Sequence, residues 1–363
     1  MVEFLATFGA AAKELFDYNR EMYEFDQAPL CLQRHFSYKE PQSHVSHARH
    51  PEELVAEEWE EWEESEESEE SDGEFEEPEL PTFAERKWSA PPQTWPNEAA
   101  ALFVPLGPHT AATRFVGEAP VASWFPATLY NVLCELPVNE FDLQAWLYPK
   151  GSHLFTARQL QRLLEATGVT CLGRVLDVGA GDGCHTAVLR AVSQSVVAAE
   201  TSRGMAWHLE REGYEVWCED VSETFAERAA DLARRKLPLF SLVSVLNVLD
   251  RCAAPRKLCS AAAALLEPGG FLLLASPLPF SASYYGPETG WNGQPLAGLE
   301  DLGFGKEGED AWARDGLTMI QDFLPSCGFQ VEAVSRLPYL SGGDVLDGGC
   351  IELDDILVLA RKT

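Results

Sequence analysis

No two cysteines in this 363-residue sequence are spaced Cys-x-x-Cys. Its nine cysteines are scattered and odd in number, which argues against a disulfide framework and against a zinc site. A reducing compartment such as the cytoplasm suits such a chain, and no metal site is expected. Basic residues are also scarce. There are 27 Lys and Arg against 58 Asp and Glu, for a net charge of −31. That balance excludes a nucleic-acid groove, which needs clustered cations, and it disfavours anionic membrane surfaces. No apolar run approaches the length of a bilayer span, so no membrane insertion is expected. The opening MVEFLATFGAAAKELF lacks the basic start of a signal peptide and carries Glu3, and it reads as a short amphipathic helix. No internal repeat is evident.

What is present falls into four stretches. Residues 1–50 read as a weakly structured N-terminal segment. Residues 51–81 hold sixteen Glu, one Asp and no Lys or Arg. A run of that kind buries too little apolar surface to offset its ordering entropy, so residues 51–95 are predicted to be an acidic, disordered linker with a Pro-rich exit, SAPPQTWPNE. Residues 96–150 are aromatic and apolar and suggest short helices that cover a core rather than form one. From 151 to 363 the pattern becomes regular. Almost wholly apolar strands (RVLDVG, SVVAAE, YEVWC, FSLVSVLN, FLLLASP) alternate with helical stretches. That alternation predicts an α/β fold, a parallel sheet covered on both faces. The first helix of this region should be capped by Thr156 and stopped by Gly168. FQVEAVSRLP and DDILVLARK follow with no helix between them, as antiparallel neighbours would.

The first of those strands runs into Gly179, Gly181 and Gly183, a G-x-G-x-G turn. Glycine there allows a tight turn and close approach of a ligand. Glu200 ends the next strand, where a carboxylate can accept both hydroxyls of a ribose. Those two features fit a dinucleotide as well as S-adenosylmethionine. The spacing, which is not G-x-G-x-x-G, and the closing hairpin favour S-adenosylmethionine. Asp177, at the end of the first strand, is placed to face the ammonium of its methionine part. Asp220, after the third strand, is placed to accept from its adenine amino group. The competing readings are that Asp220 caps a helix and that Glu200 is a solvated loop end.

LNVLDRC (246–252) ends the fourth strand, where such enzymes place the methyl acceptor. Taken with LDVGAGDG, AAETS, LPF (278–280), RLPYLSGGD (336–344) and LDDILVL (353–359), it resembles the DREV family, also called the methyltransferase-like protein nine family, over about residues 120 to 363. The resemblance implies a Rossmann-like, seven-stranded S-adenosylmethionine-dependent methyltransferase fold over 151–363 with an N-terminal helical extension. It also implies methyl transfer to the pros nitrogen of histidine, in partner proteins carrying His-x-His motifs with a small middle residue. Carried over by position, Gly179 and Gly181 line the cofactor loop and Glu200 holds the ribose. Asn247 touches the cofactor near the reacting centre, Asp250 faces the target imidazole, and Tyr339 closes the pocket. The KGS stretch, Lys150 to Ser152, resembles the family's basic entry loop near the methionine carboxylate. One stretch departs from the family. It often has aromatics just before LDD, whereas this chain reads GGCIE (348–352), which puts the substrate motif in question.

Aspartate suits the role implied for Asp250. Neutral imidazole already attacks a sulfonium methyl, so the protein must supply orientation and tautomer rather than a strong base. A carboxylate that accepts the tele N–H frees the pros lone pair and stabilises the positive charge that develops on the ring. The competing reading makes Asp250 the cap of the following helix and Asn247 a strand-end turn residue. His44, His47 and His50 lie three apart and read as a solvated segment, and His185 and His208 as ordinary helix residues. None of the eight histidines forms His-x-His, so the resemblance implies no self-methylation. A monomer is expected. The rival functions are a methyltransferase of another substrate, small molecule or protein side chain, and a catalytically silent scaffold of the same fold.

Overall fold

The computed structural model describes residues 85–363 apart from 109, 119–128, 131, 134–138, 148–150, 283–301, 305–309 and 344–349. The expected N-terminal segment, the acidic run, His44, His47, His50 and Lys150 lie outside the described residues.

A leading stretch carries α1 (Glu85–Ser89), α2 (Asn97–Ala100), α3 (Thr110–Glu118) and α4 (Glu140–Leu147). The regular part begins with β1 (Ser152–His153) and α5 (Ala157–Ala166). It continues through β2 (Leu172–Val178), α6 (Cys184–Ala191), β3 (Ser193–Ala199), α7 (Arg203–Arg211) and β4 (Glu215–Trp217). Next come α8 (Val221–Arg235), β5 (Phe240–Leu246), a 3-10 turn (Leu249–Arg251), α9 (Pro255–Leu265) and β6 (Leu266–Pro277). Helix α10 (Ala311–Thr318) passes through a π-helical segment (Met319–Phe323) into a last turn (Leu324–Ser326), and β7 (Phe329–Gly342) and β8 (Cys350–Lys362) end the chain.

The strands form one sheet in the order β1-β7-β8-β6-β5-β2-β3-β4. Strands β6, β5, β2, β3 and β4 run parallel, and β8 is antiparallel to both β6 and β7. The fold is the α/β, Rossmann-like arrangement expected, with eight strands instead of seven. The extra strand is β1, whose Ser152 and His153 pair with Ser341 and Leu340 of β7. Two residues are too few to show a strand period in a sequence.

Successive residues of each buried strand feed opposite faces of the sheet. In β6, Leu272 and Leu274 enter the core under α8, α9 and α10, while Leu273 and Ala275 enter the core under α5 and α6. Full burial of a leucine side chain is worth about 1.5–3 kcal/mol, and most core leucines here are completely buried. Thr156 caps α5 as expected, in a reciprocal capping box with Gln159. The end of the expected linker is corrected: Trp88 and Trp95 are buried, and the Trp95 indole donates to the carbonyl of Ala313 at 2.7 Å. An indole of that area is too costly to leave in water, so the fold takes in this stretch. Among the described residues no helix is long and apolar enough to cross a membrane.

Candidate active site

In an open α/β sheet, ligands bind beyond the carboxyl ends of the strands where the chain order reverses. Here that point lies between β2 and β5, which are hydrogen-bonded neighbours. From β2 the chain winds outward through β3 to β4, and from β5 the other way through β6. The glycine turn leaves the end of β2, and the LNVLDRC stretch leaves the end of β5. The two segments singled out in the sequence therefore flank one crevice.

Gly179, Gly181 and Gly183 all have positive φ (73°, 55° and 86°), which L-residues with side chains adopt only under strain. A Cβ on Gly179 would stand 2.3 Å from Cγ2 of Val248, so the turn presses directly on the segment after β5. A Cβ on Gly181 would meet no protein atom closer than the Gly179 carbonyl at 3.9 Å, which leaves the crevice side of the turn open. Glu200 spans the turn. Its Oε2 accepts from the Gly181 amide at 2.8 Å and its Oε1 from the Ser202 amide at 2.7 Å. Burial pushes its pKa up, against the pull of these backbone donors. Oε1 also accepts from Thr201 Oγ1 at 3.4 Å, while Oε2 keeps a lone pair for a further donor such as a ribose hydroxyl. The solvated-loop reading of Glu200 does not hold, because the side chain is buried.

The other two acids near the cofactor region have partners of their own. Asp177 is only 2 % exposed, with Oδ1 accepting from Ser244 Oγ and Oδ2 from Thr186 Oγ1, each at 2.7 Å. It braces β2 against β5 and α6. Asp220 is exposed and its Oδ1 accepts from the Ser222 amide at 2.8 Å, capping α8. The structure supports the capping reading.

The acceptor side is built from Asn247 and Asp250. Asn247 has φ 55°, an uncommon conformation for a side-chain-bearing residue and one that asparagine tolerates best. Its backbone N–H donates to Ala275 at 3.0 Å, which anchors it to β6. Neither atom of its buried amide has a hydrogen-bond partner of good geometry among the described residues. Asp250 sits in the 3-10 turn, 7 % exposed. Its Oδ1 has no partner among the described residues, while Oδ2 lies 3.9 Å from Arg251 Nε. Burial raises its pKa and Arg251 opposes the rise. Asp250 does not cap the next helix: α9 begins at Pro255 behind Ala254, with no side-chain cap. The competing reading of Asp250 is thereby removed, and a buried carboxylate oxygen remains for a ligand.

Tyr339 stands on the same side of the sheet. Burial pushes its hydroxyl up to about 12, with the Ser152 side chain acting the other way. Its ring stacks on His185 with centroids 6.1 Å apart. His185 is more than the ordinary helix residue expected. It lies between Phe155 and Tyr339, its Nε2 is buried without a partner among the described residues, and burial lowers its pKa to about 3, so it is neutral. Ser152, the described end of the KGS stretch, is in β1 beside Ser341.

Three further residues belong to this neighbourhood and were not singled out by the sequence. Phe141 of α4 lies over the Arg251 guanidinium at 5.9 Å. Asp142 Oδ1, from the same helix, accepts from Ser202 Oγ at 2.6 Å and from the Gly204 amide at 2.9 Å. Asp355 of β8 is completely buried, and neither of its oxygens has a partner of good geometry among the described residues. Burial raises its pKa well above the usual carboxylate range, and the nearby Asp250 charge adds to the rise. The signal in the sequence was the second acid of LDD, a charge carried into an otherwise apolar strand.

The sheet order, the glycine turn and the Glu200 tether define a Rossmann-like, S-adenosylmethionine-dependent methyltransferase fold. A sequence profile of the DREV methyltransferases matches residues 88–362, and the chain belongs to that family. Solved structures with a similar fold include the N-methyltransferase NodS of Bradyrhizobium japonicum WM9 in complex with S-adenosyl-L-homocysteine. It is 16 % identical over 57 % of this chain and 85 % of its own, with a TM-score of 0.33. The magnesium protoporphyrin IX methyltransferase of Synechocystis PCC 6803, with bound SAM, is 13 % identical over 57 % of this chain and 78 % of its own, with a TM-score of 0.34. A putative RNA methyltransferase of Pyrococcus horikoshii is 16 % identical over 57 % of this chain and 83 % of its own, with a TM-score of 0.35. The residues present fit the cofactor of the class: an open glycine turn, a buried carboxylate whose Oε2 keeps a free lone pair, and polar atoms beyond them without partners among the described residues.

Proposed function

We propose that the protein transfers a methyl group from S-adenosylmethionine to the pros nitrogen of a histidine in a His-x-His motif of a partner protein. The observation that carries this reading is Asp250, a buried carboxylate with an oxygen that has no partner among the described residues, after β5 where the crevice faces the cofactor turn. The resemblance of LNVLDRC and RLPYL to the histidine-methylating family gives that oxygen its partner, the tele N–H of the target ring.

Bound S-adenosylmethionine supplies an electrophilic methyl group. Gly179 and Gly181 admit it, and Glu200 fixes its ribose. Asn247, strained into place at the end of β5, offers a donor and an acceptor at the junction of cofactor and acceptor. Asp250 accepts the tele N–H, which holds the ring in the tautomer whose pros lone pair is free. It then sits beside the positive charge that methylation creates. Tyr339 and His185, both uncharged at neutral pH, wall the pocket without competing for a proton.

Incubation with labelled S-adenosylmethionine and a His-Ala-His peptide tests the reading. The expected product, after acid hydrolysis, is pros-methylhistidine. Asp250→Ala should lower turnover by at least about 100-fold, in the range seen when an orienting or charge-stabilising group is removed, with cofactor affinity retained. Because the nucleophile is neutral imidazole, turnover at subsaturating peptide should climb through about pH 6.5, the titration point of free histidine. A tele product would overturn the orientation given to Asp250. Methyl on lysine, arginine or a small molecule would overturn the substrate class, an outcome that the altered Cys350–Glu352 stretch makes worth measuring.

A further inference from the structure

The sulfur of S-adenosylmethionine carries the methyl group, the ribose side and an amino-acid tail that ends in a carboxylate and an ammonium group. Glu200 is placed for the ribose, and Asn247 and Asp250 form the acceptor side. The tail needs partners of its own. His185 stands in the first turn of α6, directly behind the glycine turn. Side chains on a helix lean toward its N-terminus, so His185 leans back toward that turn. Its ring is held between Phe155 (centroids 5.8 Å apart) and Tyr339 (6.1 Å, planes 29° apart). The Gly342 amide donates to the Gly151 carbonyl at 3.0 Å, and Ser152 and His153 pair with Ser341 and Leu340, which ties the KGS stretch to β7 beside Tyr339.

His185 Nε2 is buried and has no hydrogen-bond partner among the described residues. Such an atom costs free energy until something pairs with it. A neutral imidazole can present one N–H there, and a carboxylate is an acceptor on both oxygens. The start of α6 carries the positive end of the helix dipole, so an anion suits this place better than an ammonium group. Other groups at this end of the crevice have engagements of their own. The Arg251 guanidinium lies 3.9 Å from Asp250 and over the Phe141 ring. The Tyr339 hydroxyl has the Ser152 side chain beside it. Asp182 accepts from the Cys184 amide at 3.1 Å, and the His153 ring stacks on Phe115 with centroids 6.1 Å apart. Asn247 Nδ2, the other buried donor without a partner among the described residues here, follows β5 on the acceptor side.

We propose that His185 is a cofactor-binding residue whose Nε2–H donates to the carboxylate of the amino-acid tail of S-adenosylmethionine. Phe155 and Tyr339 are positioning residues for it, because the rings on either side hold the imidazole in one orientation before the ligand arrives. The assignment concerns the cofactor alone. It does not depend on which acceptor is methylated, so it stands or falls separately from the histidine reading.

Two ligands separate the carboxylate from the rest of the cofactor. One is S-adenosylhomocysteine, and the other is its decarboxylated analogue, which keeps the adenosine, the sulfur and the amine. Calorimetry on the full chain, with displacement for weak binding, measures both. Wild type should prefer S-adenosylhomocysteine by at least about tenfold, the scale of a hydrogen bond to a charged group. Equal affinity for the two would overturn carboxylate recognition without any variant. His185→Phe keeps a ring between Phe155 and Tyr339 but has no donor. It should lose most of the preference and bind the analogue as wild type does. His185→Gln, whose amide nitrogen reaches the place of Nε2, should restore much of it. Equal losses for both ligands in His185→Phe would mean that the residue only shapes the pocket. An unchanged preference would mean that another donor holds the tail. Either result overturns the proposal. Wild type with nitrogen-labelled histidine rings gives a further reading if a variant fails to fold. S-adenosylhomocysteine should fix one ring in the Nε2–H tautomer and the analogue should not. A spectrum in which no ring responds to S-adenosylhomocysteine alone would overturn the contact.

Discussion

Gly179 and Gly181 show how two neighbouring residues of the same type carry different constraints. Both have positive φ, so any side chain adds backbone strain of about 1–2 kcal/mol. At Gly179 the added Cβ also runs into the Val248 methyl, and that clash lies inside the protein. At Gly181 it points into open space, where only a ligand would meet it. Gly179→Ala should therefore destabilise the fold by about 2–4 kcal/mol by denaturant melts, as strain and overpacking add. Val248→Ala should recover a measurable part in a double-mutant cycle. Gly181→Ala should cost only the backbone strain yet weaken S-adenosylmethionine binding by tenfold or more in calorimetry. Additive effects of Gly179→Ala and Val248→Ala would deny the contact between the turn and the acceptor segment. Unchanged cofactor affinity in Gly181→Ala would remove the turn from the site.

Helix α4 is the element whose role sequence reading did not reach. Its Asp142 satisfies Ser202 and the Gly204 amide at the start of α7, and His208 of α7 meets the Ala145 carbonyl at 3.0 Å. A Cβ on Gly204 would stand 2.9 Å from the Ala145 Cβ, so the two helices touch at backbone distance. Ser202 also donates its backbone N–H to Glu200, so α4 is coupled through one residue to the cofactor carboxylate. Asp142→Ala should speed hydrogen exchange in both α4 and the first turn of α7 and raise the cofactor Kd several-fold, by loss of hydrogen bonds to a charged acceptor worth about 1.5–3 kcal/mol. Faster exchange in α4 with Kd unchanged would show that the helix is only a cover. The contrast with the parallel strands explains what was legible. Strands β2, β3 and β5 are largely apolar runs followed by a glycine turn, a glutamate and an asparagine, so local pattern places both strand and site residue. Asp142 meets Ser202 and Asp355 meets Asn247 only through pairings far apart in sequence, and no local period reports those. Asp177 and Asp220 were only half legible for the same reason. Their positions were legible, but the hydroxyls and the amide that occupy them were not.

At the scale of the whole molecule, the acidic balance and the buried acids push stability the same way. Burial raises the pKa of Asp177, Asp182, Glu200, Asp250 and Asp355. Each then favours the folded state most at pH below its ordinary value, and that contribution is lost as pH rises through the folded pKa. Glu219 runs opposite. Burial raises it, but the Arg228 and Thr224 side chains outweigh burial and hold it below its ordinary value, so its contribution is lost only in acid. The net charge of −31 adds long-range repulsion that also grows toward alkaline pH. The thermal midpoint should therefore rise as pH falls from about 8 to about 5.5, placing the stability maximum on the acid side of neutrality. The two causes separate with salt. Surface repulsion is screened within a few ångströms at about 1 M salt, whereas buried groups are screened much less. Removal of residues 51–81, which takes away sixteen Glu and one Asp and lies outside the family match, should act like salt. It should raise the midpoint slightly at pH 8 and leave the remaining slope in place. That remaining slope is the contribution of the buried acids, and Asp355→Asn should remove part of it. A midpoint independent of pH at high salt would mean that these carboxyls are ionised and stabilised in the folded protein.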